Sequence, residues 1–342
     1  MKILKILGKV FLTIGITLVA LLILCIVAIY ILEKGPSESA KVLFVRSVNE
    51  TSRMGFVGSM FLSEEEVEQI MNSSDMAELE AGQTNDTELI TIDEDTVTED
   101  IEILDVSGGS FKGKLMIVHD PSRVFCGTIG EFGEFQGTTV QGIIDRYNAM
   151  GEPIIGGVNG GDFIDNGANS SFTGRPLGAI FSEGELYVMD DFGDEPYHLC
   201  GFTNDNVFFL GNITLDEAKA MGVRDAIYCV HNTGPFLVMN GEALINEVPD
   251  SATYGGGKNP RTAIGQRADG AVLLLVVDGR QANSLGATFK DLAYTMLEYG
   301  AVNAAAMDGG TSSQMVYQNE ILNNPYSPTG PRKCPTAWLV RE

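Results

Sequence analysis

The chain is short of positive charge. Its 342 residues carry 22 Lys and Arg against 46 Asp and Glu, a formal net charge of -24. Binding a polyanion needs local Lys and Arg, so nucleic acid is excluded as a partner. Histidine is scarce at three residues, and His119, His198 and His231 show no metal-ligand spacing. The five cysteines form no CxxC pair; Cys25 lies in an apolar run, and Cys126, Cys200, Cys229 and Cys334 are scattered. An exported domain permits disulfides, but four cysteines leave three pairings open. Phosphate and nucleotide motifs are missing too. Gly156-Gly157-Val158-Asn159-Gly160-Gly161 lacks the third glycine and following helix of a dinucleotide fingerprint, and Gly255-Gly256-Gly257-Lys258 is followed by Asn259 rather than Ser or Thr. No Gly-x-Ser-x-Gly elbow occurs.

What the chain does have begins at its N-terminus. Val10 to Leu32 contains no charged residue, and roughly 20 apolar residues suffice to span a bilayer as a helix. Lys2, Lys5 and Lys9 precede the run and few basic residues follow it, which places the N-terminus in the cytoplasm and the remainder outside. The run is long for a signal peptide, and Tyr30-Ile31-Leu32-Glu33-Lys34 is a poor cleavage site. The expectation is a single-pass cell-membrane protein with an uncleaved anchor, a cleaved signal being the competing reading.

Residues 1–9 then read as a cytoplasmic tail, 10–32 as the anchor and 33–107 as an acidic stalk, partly disordered or helical. Within the stalk, Ser63 can cap a helix running to Met71. Composition changes at Gly108-Gly109-Ser110, and 108–342, where short apolar runs alternate with glycine-rich turns, reads as a compact domain. Strands are expected at Lys114–His119 and Pro153–Val158, and a Thr138- or Thr139-capped helix through Tyr147. Glu183-Gly184 and Ala268-Asp269-Gly270 mark hairpins. Thr288 to Tyr299 reads as an amphipathic helix ended by Gly300, with a strand from Val302 to Met307 after it. Short strands with a few helices give an α+β domain of mixed sheet with flanking helices.

Three glycine-rich polar segments follow apolar strands: Asn159-Gly160-Gly161-Asp162, Asp278-Gly279-Arg280 and Asp308-Gly309-Gly310-Thr311-Ser312-Ser313. Each alone is an ordinary turn signal. Together with the basic segment Lys258-Asn259-Pro260-Arg261-Thr262 they point to one shared cleft, since a guanidinium fork matches phosphate oxygens.

In this order, Asn159-Gly160-Gly161, Asn259-Pro260-Arg261-Thr262-Ala263-Ile264-Gly265, Asp278-Gly279-Arg280 with Ser284, Gly286 and Thr288, and Asp308-Gly309-Gly310 with Ser312-Ser313 resemble the phosphodiester glycosidase family. That family includes the lysosomal-pathway uncovering enzyme, which removes N-acetylglucosamine from a mannose-6-phosphate diester, and bacterial proteins of the exopolysaccharide-biosynthesis type. The resemblance runs from about Lys114 to Val340, with Asp120-Pro121-Ser122, Pro176-Leu177-Gly178 and Gly234-Pro235-Phe236 in support. It departs at Asp162, where the family usually has an aromatic; Phe163 follows instead.

The resemblance implies hydrolysis at the sugar C1–O bond of a sugar-1-phosphodiester, in a cell-surface glycan or its precursor. Asp308 is the first choice for the catalytic carboxylate and Asp278 the second. Arg261 and Arg280 would bind phosphate. Asn159, Gly160, Gly161, Asp162, Thr262, Gly279, Ser284, Gly309, Gly310, Ser312 and Ser313 would line the substrate site. A polysaccharide- or teichoic-acid-binding module is one alternative. A metal-dependent phosphodiesterase is another; no metal ligand is assigned, but clustered aspartates leave room for a divalent cation.

Overall fold

Six consecutive apolar residues, Val272–Val277, form a fully buried strand. Side chains alternate across a strand, and both faces here are covered. Leu273, Leu275 and Val277 pack with Leu292, Ala293 and Met296, whereas Val272, Leu274 and Val276 enter a central core with Phe202, Phe208 and Trp338. That double burial is why the run is unbroken in the sequence.

The computed structural model describes residues 2–49, 55–72, 76–93, 98, 100–165, 172–245, 257–327 and 330–342. They fall into two compact units, the described residues up to 72 and those from 76 to 342. The first unit contains α1 (Lys2–Lys34), α2 (Glu38–Asn49) and α3 (Glu64–Asn72). Helix α1 is long and apolar enough to cross a membrane. Ser63 caps α3 as its sequence requires: its hydroxyl accepts the Glu66 N–H at 3.1 Å, and the Glu66 carboxylate accepts the Ser63 N–H at 2.8 Å.

The second unit is α+β, with α4 (Val140–Ala149), α5 (Leu215–Ala220) and α6 (Phe289–Glu298) around three sheets. The seven-stranded sheet runs in the order Ile101–Ser107, Lys112–Val118, Val272–Val277, Arg261–Arg267, Ala301–Met307, Phe236–Met239, Glu242–Ala243. One five-stranded sheet orders Glu320–Ile321, Met315–Tyr317, Ile154–Asn159, Thr336–Arg341 and Val124–Thr128. The other orders Glu185–Val188, Ala179–Ser182, Val223–Tyr228, Tyr197–Thr203 and Phe208–Ile213. All described strand pairings within these sheets are antiparallel. Both expected hairpins form, at Glu183-Gly184 and at 268–270. Thr139 caps α4. Thr288 and Asp291 close a capping box on α6, and Gly300 follows it at φ 88°. Cys25, Cys126, Cys200, Cys229 and Cys334 are all free thiols.

The compact domain reaches further toward the N-terminus than residue 108. Ile101–Ser107, assigned to the stalk by composition, pairs along its length with Lys112–Val118. Upstream, Met76 bridges Ile245, the Leu210 N–H donates to Asn85 Oδ1 at 2.6 Å, and Thr91 N–H donates to the Ala268 carbonyl at 2.9 Å. Of the 33–107 segment, residues 50–54, 73–75, 94–97 and 99 lie outside the described residues.

A fragment starting at Gly108 should therefore melt below one starting at Ser74, each kcal/mol lost lowering Tm by about 2–4 °C for a domain of this size. Differential scanning calorimetry of the two decides it; equal melting would place residues 76–107 outside the cooperative unit.

Candidate active site

The site is assembled where three strands end. Asn159 closes Ile154–Asn159, Thr262 lies near the start of Arg261–Arg267, and Asp308 follows Ala301–Met307. The buried Asn159 carboxamide ties them together. Its Nδ2 donates to the Asp308 carbonyl at 2.7 Å and to the Gly160 carbonyl at 3.2 Å. Its Oδ1 accepts from the Thr262 hydroxyl at 2.7 Å and from the Gln314 N–H at 3.2 Å. Asn159 and Thr262 are thus internal braces rather than the substrate-facing groups their motifs suggest; neither is exposed to solvent. The N–H of Gly160 donates to Thr336 O at 3.0 Å and that of Gly310 to Pro260 O at 2.9 Å, so these two amides are also spent inside the protein.

Two partly buried carboxyls, Asp162 and Asp308, lie close enough to act on one another. Burial raises Asp308 first, the Asp162 charge raises it further, and the carboxyl is pushed up to about 8. The Ser312 hydroxyl and Arg332 pull in the opposite direction, and Asp165 adds a smaller upward push. Asp162 is pushed up to about 6, again first by burial, against the Thr233 hydroxyl and the charge of Arg261. Thr233 Oγ1 donates to Asp162 Oδ2 at 2.8 Å. The same oxygen lies 3.4 Å from the place a Cβ on Gly234 would occupy. Two like charges in a desolvated cleft cannot both ionise cheaply. The pair therefore titrates as a unit between about 6 and about 8.

Asp278, the second sequence choice, does a different job. Its Oδ1 accepts from Asn323 Nδ2 at 3.0 Å and from the Asn324 N–H at 2.9 Å, which fixes the 322–327 loop. Ser284, 3% exposed, donates to the Asp278 carbonyl at 2.6 Å and accepts from the Lys112 N–H at 3.0 Å, so it stitches the same turn. Gly279 is required there, because a Cβ would stand 2.4 Å from Pro260 N.

The arginines divide similarly. Arg261 is 4% exposed, stacked 4.0 Å from the Phe289 ring centroid, and donates to the carbonyls of Gly257 at 2.9 Å and Ala287 at 3.3 Å. Arg280 adopts a left-handed φ of 57° and donates from Nε to Asn259 Oδ1 at 3.0 Å. Its two terminal nitrogens lie 3.4 Å from where a Cβ on Gly310 would be, and Gly310 itself has φ 64°. Arg280 therefore presents its fork to the Asp308-Gly309-Gly310 loop. Ser313 Oγ, 1% exposed, and Gln314 Oε1 have no hydrogen-bond partner among the described residues.

Gly161 approaches Ile227 too closely for any side chain, its Cβ position being 2.3 Å from Cγ2. Gly309 passes 2.9 Å from Pro260 O by the same measure. Three cleft residues escaped sequence reasoning: Thr233, Asp165 and Arg332. Arg332 is ion-paired to Asp165 and sits 5.6 Å over the Phe163 ring. Thr233 stands one residue before the Gly234-Pro235-Phe236 segment, a signal that was readable; Arg332 carries none. Among the described residues no group of three or more His, Cys, Asp and Glu is placed to hold a metal ion.

Two outcomes follow. Asn159→Ala orphans several buried groups, at about 1–3 kcal/mol each, so urea denaturation should show a loss of about 3 kcal/mol or more, against about 1–2 for Thr262→Val. Equal losses would remove Asn159 from its bracing role. For Asp308, a raised acid stabilises the fold fully below 3.8, and that contribution is gone once the pH has passed about 8. Asp308→Asn should therefore gain Tm relative to wild type as the pH rises from 4 to 8; a flat difference would show Asp308 unshifted.

The phosphodiester glycosidase family model matches residues 152–341, more than half of the chain. A curated relative, the SPbeta prophage-derived uncharacterized protein YomE of Bacillus subtilis (strain 168), is 45% identical over 155 residues. That stretch is 44% of this chain and 23% of the relative, so the match spans under a quarter of the relative's length. Among solved structures, the zebrafish N-acetylglucosamine-1-phosphodiester alpha-N-acetylglucosaminidase catalytic domain, auto-inhibited by its pro-peptide, superposes with a TM-score of 0.54 at 20% identity. The superposition covers 79% of this chain and 86% of that one, and it shows a shared fold. By the family match, and with the site built from the segments that carried the resemblance, the chain belongs to the phosphodiester glycosidase family.

Proposed function

We propose that the domain hydrolyses the C1–O bond of a sugar-1-phosphodiester, releasing the sugar and a phosphomonoester. The observation that carries this is the Asp162–Asp308 pair, whose two carboxyls are pushed to different values in one cleft. Glycosyl hydrolysis uses one carboxylate and one carboxylic acid about an oxocarbenium-like centre. Between pH 6 and 8 the pair supplies both, with Asp162 ionised and Asp308 protonated. Asp308 would donate its proton to the departing phosphate oxygen, and Asp162 would attack C1 or take a proton from the attacking water. This reverses the simplest sequence expectation, in which Asp308 itself is the anion.

The phosphate needs cations placed before reaction, since fixed charges cost no reorganisation in the transition state. Arg280 at the Gly309-Gly310 loop fits that role, and Arg332, ion-paired to Asp165, adds positive charge that acts on Asp308. Arg261, held on Phe289, supplies a positive field to Asp162. Helix α1 supports a membrane-attached, extracytoplasmic setting in which the substrate is a glycan or sugar-phosphodiester at the cell surface.

Assay on a panel of sugar-1-phosphodiesters tests the reading. Wild type should show a bell-shaped kcat/KM profile with limbs near 6 and near 8. Asp308→Asn and Asp162→Asn should each lose about 10²- to 10⁴-fold, and Asp308→Asn should also lose the alkaline limb. Arg280→Ala should raise KM by about 10- to 100-fold, the worth of a charged hydrogen bond. Wild-type rates in both aspartate variants would overturn the assignment.

A further inference from the structure

The last turn of α1 is tied to a short apolar loop. Phe61 stacks edge-on against Tyr30, with ring centroids 5.3 Å apart and planes at 87°. The Phe61 N–H donates at 2.7 Å to Glu33 Oε2, a carboxylate 1% exposed. One residue on, Lys34 Nζ pairs with Glu66 Oε1 at 3.0 Å. On its other side the loop rests on α2, where the Cβ position of Gly58 lies 3.2 Å from the Val45 carbonyl. Val42, Val45, Leu62 and Ile70 form the small core that fixes this arrangement.

The stretch from Gly55 to Leu62 has no charged residue. Its two most exposed large side chains are Phe56 at 66% and Met60 at 40%. Tyr30 precedes Glu33, the first charge after the span, by about 4–5 Å along the helix axis, and so lies on its lipid side. Tyrosine at that position belongs to the aromatic belt of a bilayer. Because Phe61 is packed on Tyr30, the Gly55–Leu62 loop is held at the same depth. Exposed large apolar side chains run along α1 from Phe11 to Ile31, and Phe56 and Met60 of the loop add to them.

We propose that Phe56 and Met60 form a membrane-interface wedge, embedded among lipid headgroups and upper acyl chains of the leaflet from which the C-terminal end of α1 emerges. This rests on α1 crossing the membrane, and it adds a second point of lipid contact that fixes the small helical unit against the bilayer. One helix allows rotation and tilt about its axis; a wedge beside it removes that freedom.

The full-length protein reconstituted in phosphatidylcholine vesicles gives the test. Trp338 is the only tryptophan and is fully buried, so wild type supplies the baseline emission. Phe56→Trp, Met60→Trp and the anchor control Leu22→Trp are compared in lipids brominated near the headgroup or near the chain ends. Leu22→Trp should be quenched best by deep bromines. Phe56→Trp and Met60→Trp should lose about half or more of their added emission to shallow bromines, as interfacial aromatics do. Quenching of Leu22→Trp alone would overturn the wedge while leaving the anchor. Shielding of both loop tryptophans that rises with protein density and ignores bromine would show that a second copy covers the loop, and it too overturns the proposal. No quenching in any variant would overturn the anchor and the wedge together.

Discussion

The Asn159 carboxamide spends both of its polar atoms on other strands: the carbonyl of Asp308, the hydroxyl of Thr262 and the N–H of Gln314 all end on it. Buried hydrogen bonds of this kind are expensive to break because each orphaned partner keeps its desolvation penalty. The bond from Asn159 holds the Asp308 backbone at the end of its strand, where the Asp162 charge acts on the Asp308 carboxyl. Gly160 and Gly161 are glycines because Thr336 and Ile227 stand where their side chains would be. Sheets from two parts of the domain thus meet at one side chain, and the cleft inherits its rigidity from there.

Rigidity is what lets the carboxyl pair hold uneven protonation. In open solvent Asp162 and Asp308 would both ionise below neutrality. Here desolvation acts on both, and their mutual repulsion falls on the one with less support. Asp162 has the Thr233 hydroxyl and the Arg261 field; Asp308 has Ser312 and the more distant help of Arg332. The difference is what the proposed roles rest on, with Asp162 as the anion and Asp308 as the acid. In the proposed mechanism, the aspartate after Asn-Gly-Gly, where the family usually carries an aromatic, supplies the second carboxyl.

Much of this was legible in the residues. The capping threonines, Gly300 and both hairpins declared themselves through spacing and turn chemistry, which act locally. The convergence of three glycine-rich strand ends was also readable. The division of labour among them was not. Whether Asn159 faces a ligand or braces a neighbour depends on what Thr262 and Gln314 do more than 100 positions away. Arg332 reaches the cleft from a polar segment with no pattern around it. The strand Ile101–Ser107 was hidden for another reason: it is a sheet edge, and edges carry exposed charges such as Glu102 and Asp105 that resemble a solvated linker.

Infrared difference spectroscopy of the protonated-carboxyl stretch, wild type minus Asp308→Asn, addresses the shared proton directly. The account predicts a protonated band at pH 7 that belongs to Asp308 and fades as the pH passes about 8. A difference spectrum with no protonated carboxyl at pH 7 would contradict it, and with it the acid–base roles given to the two aspartates.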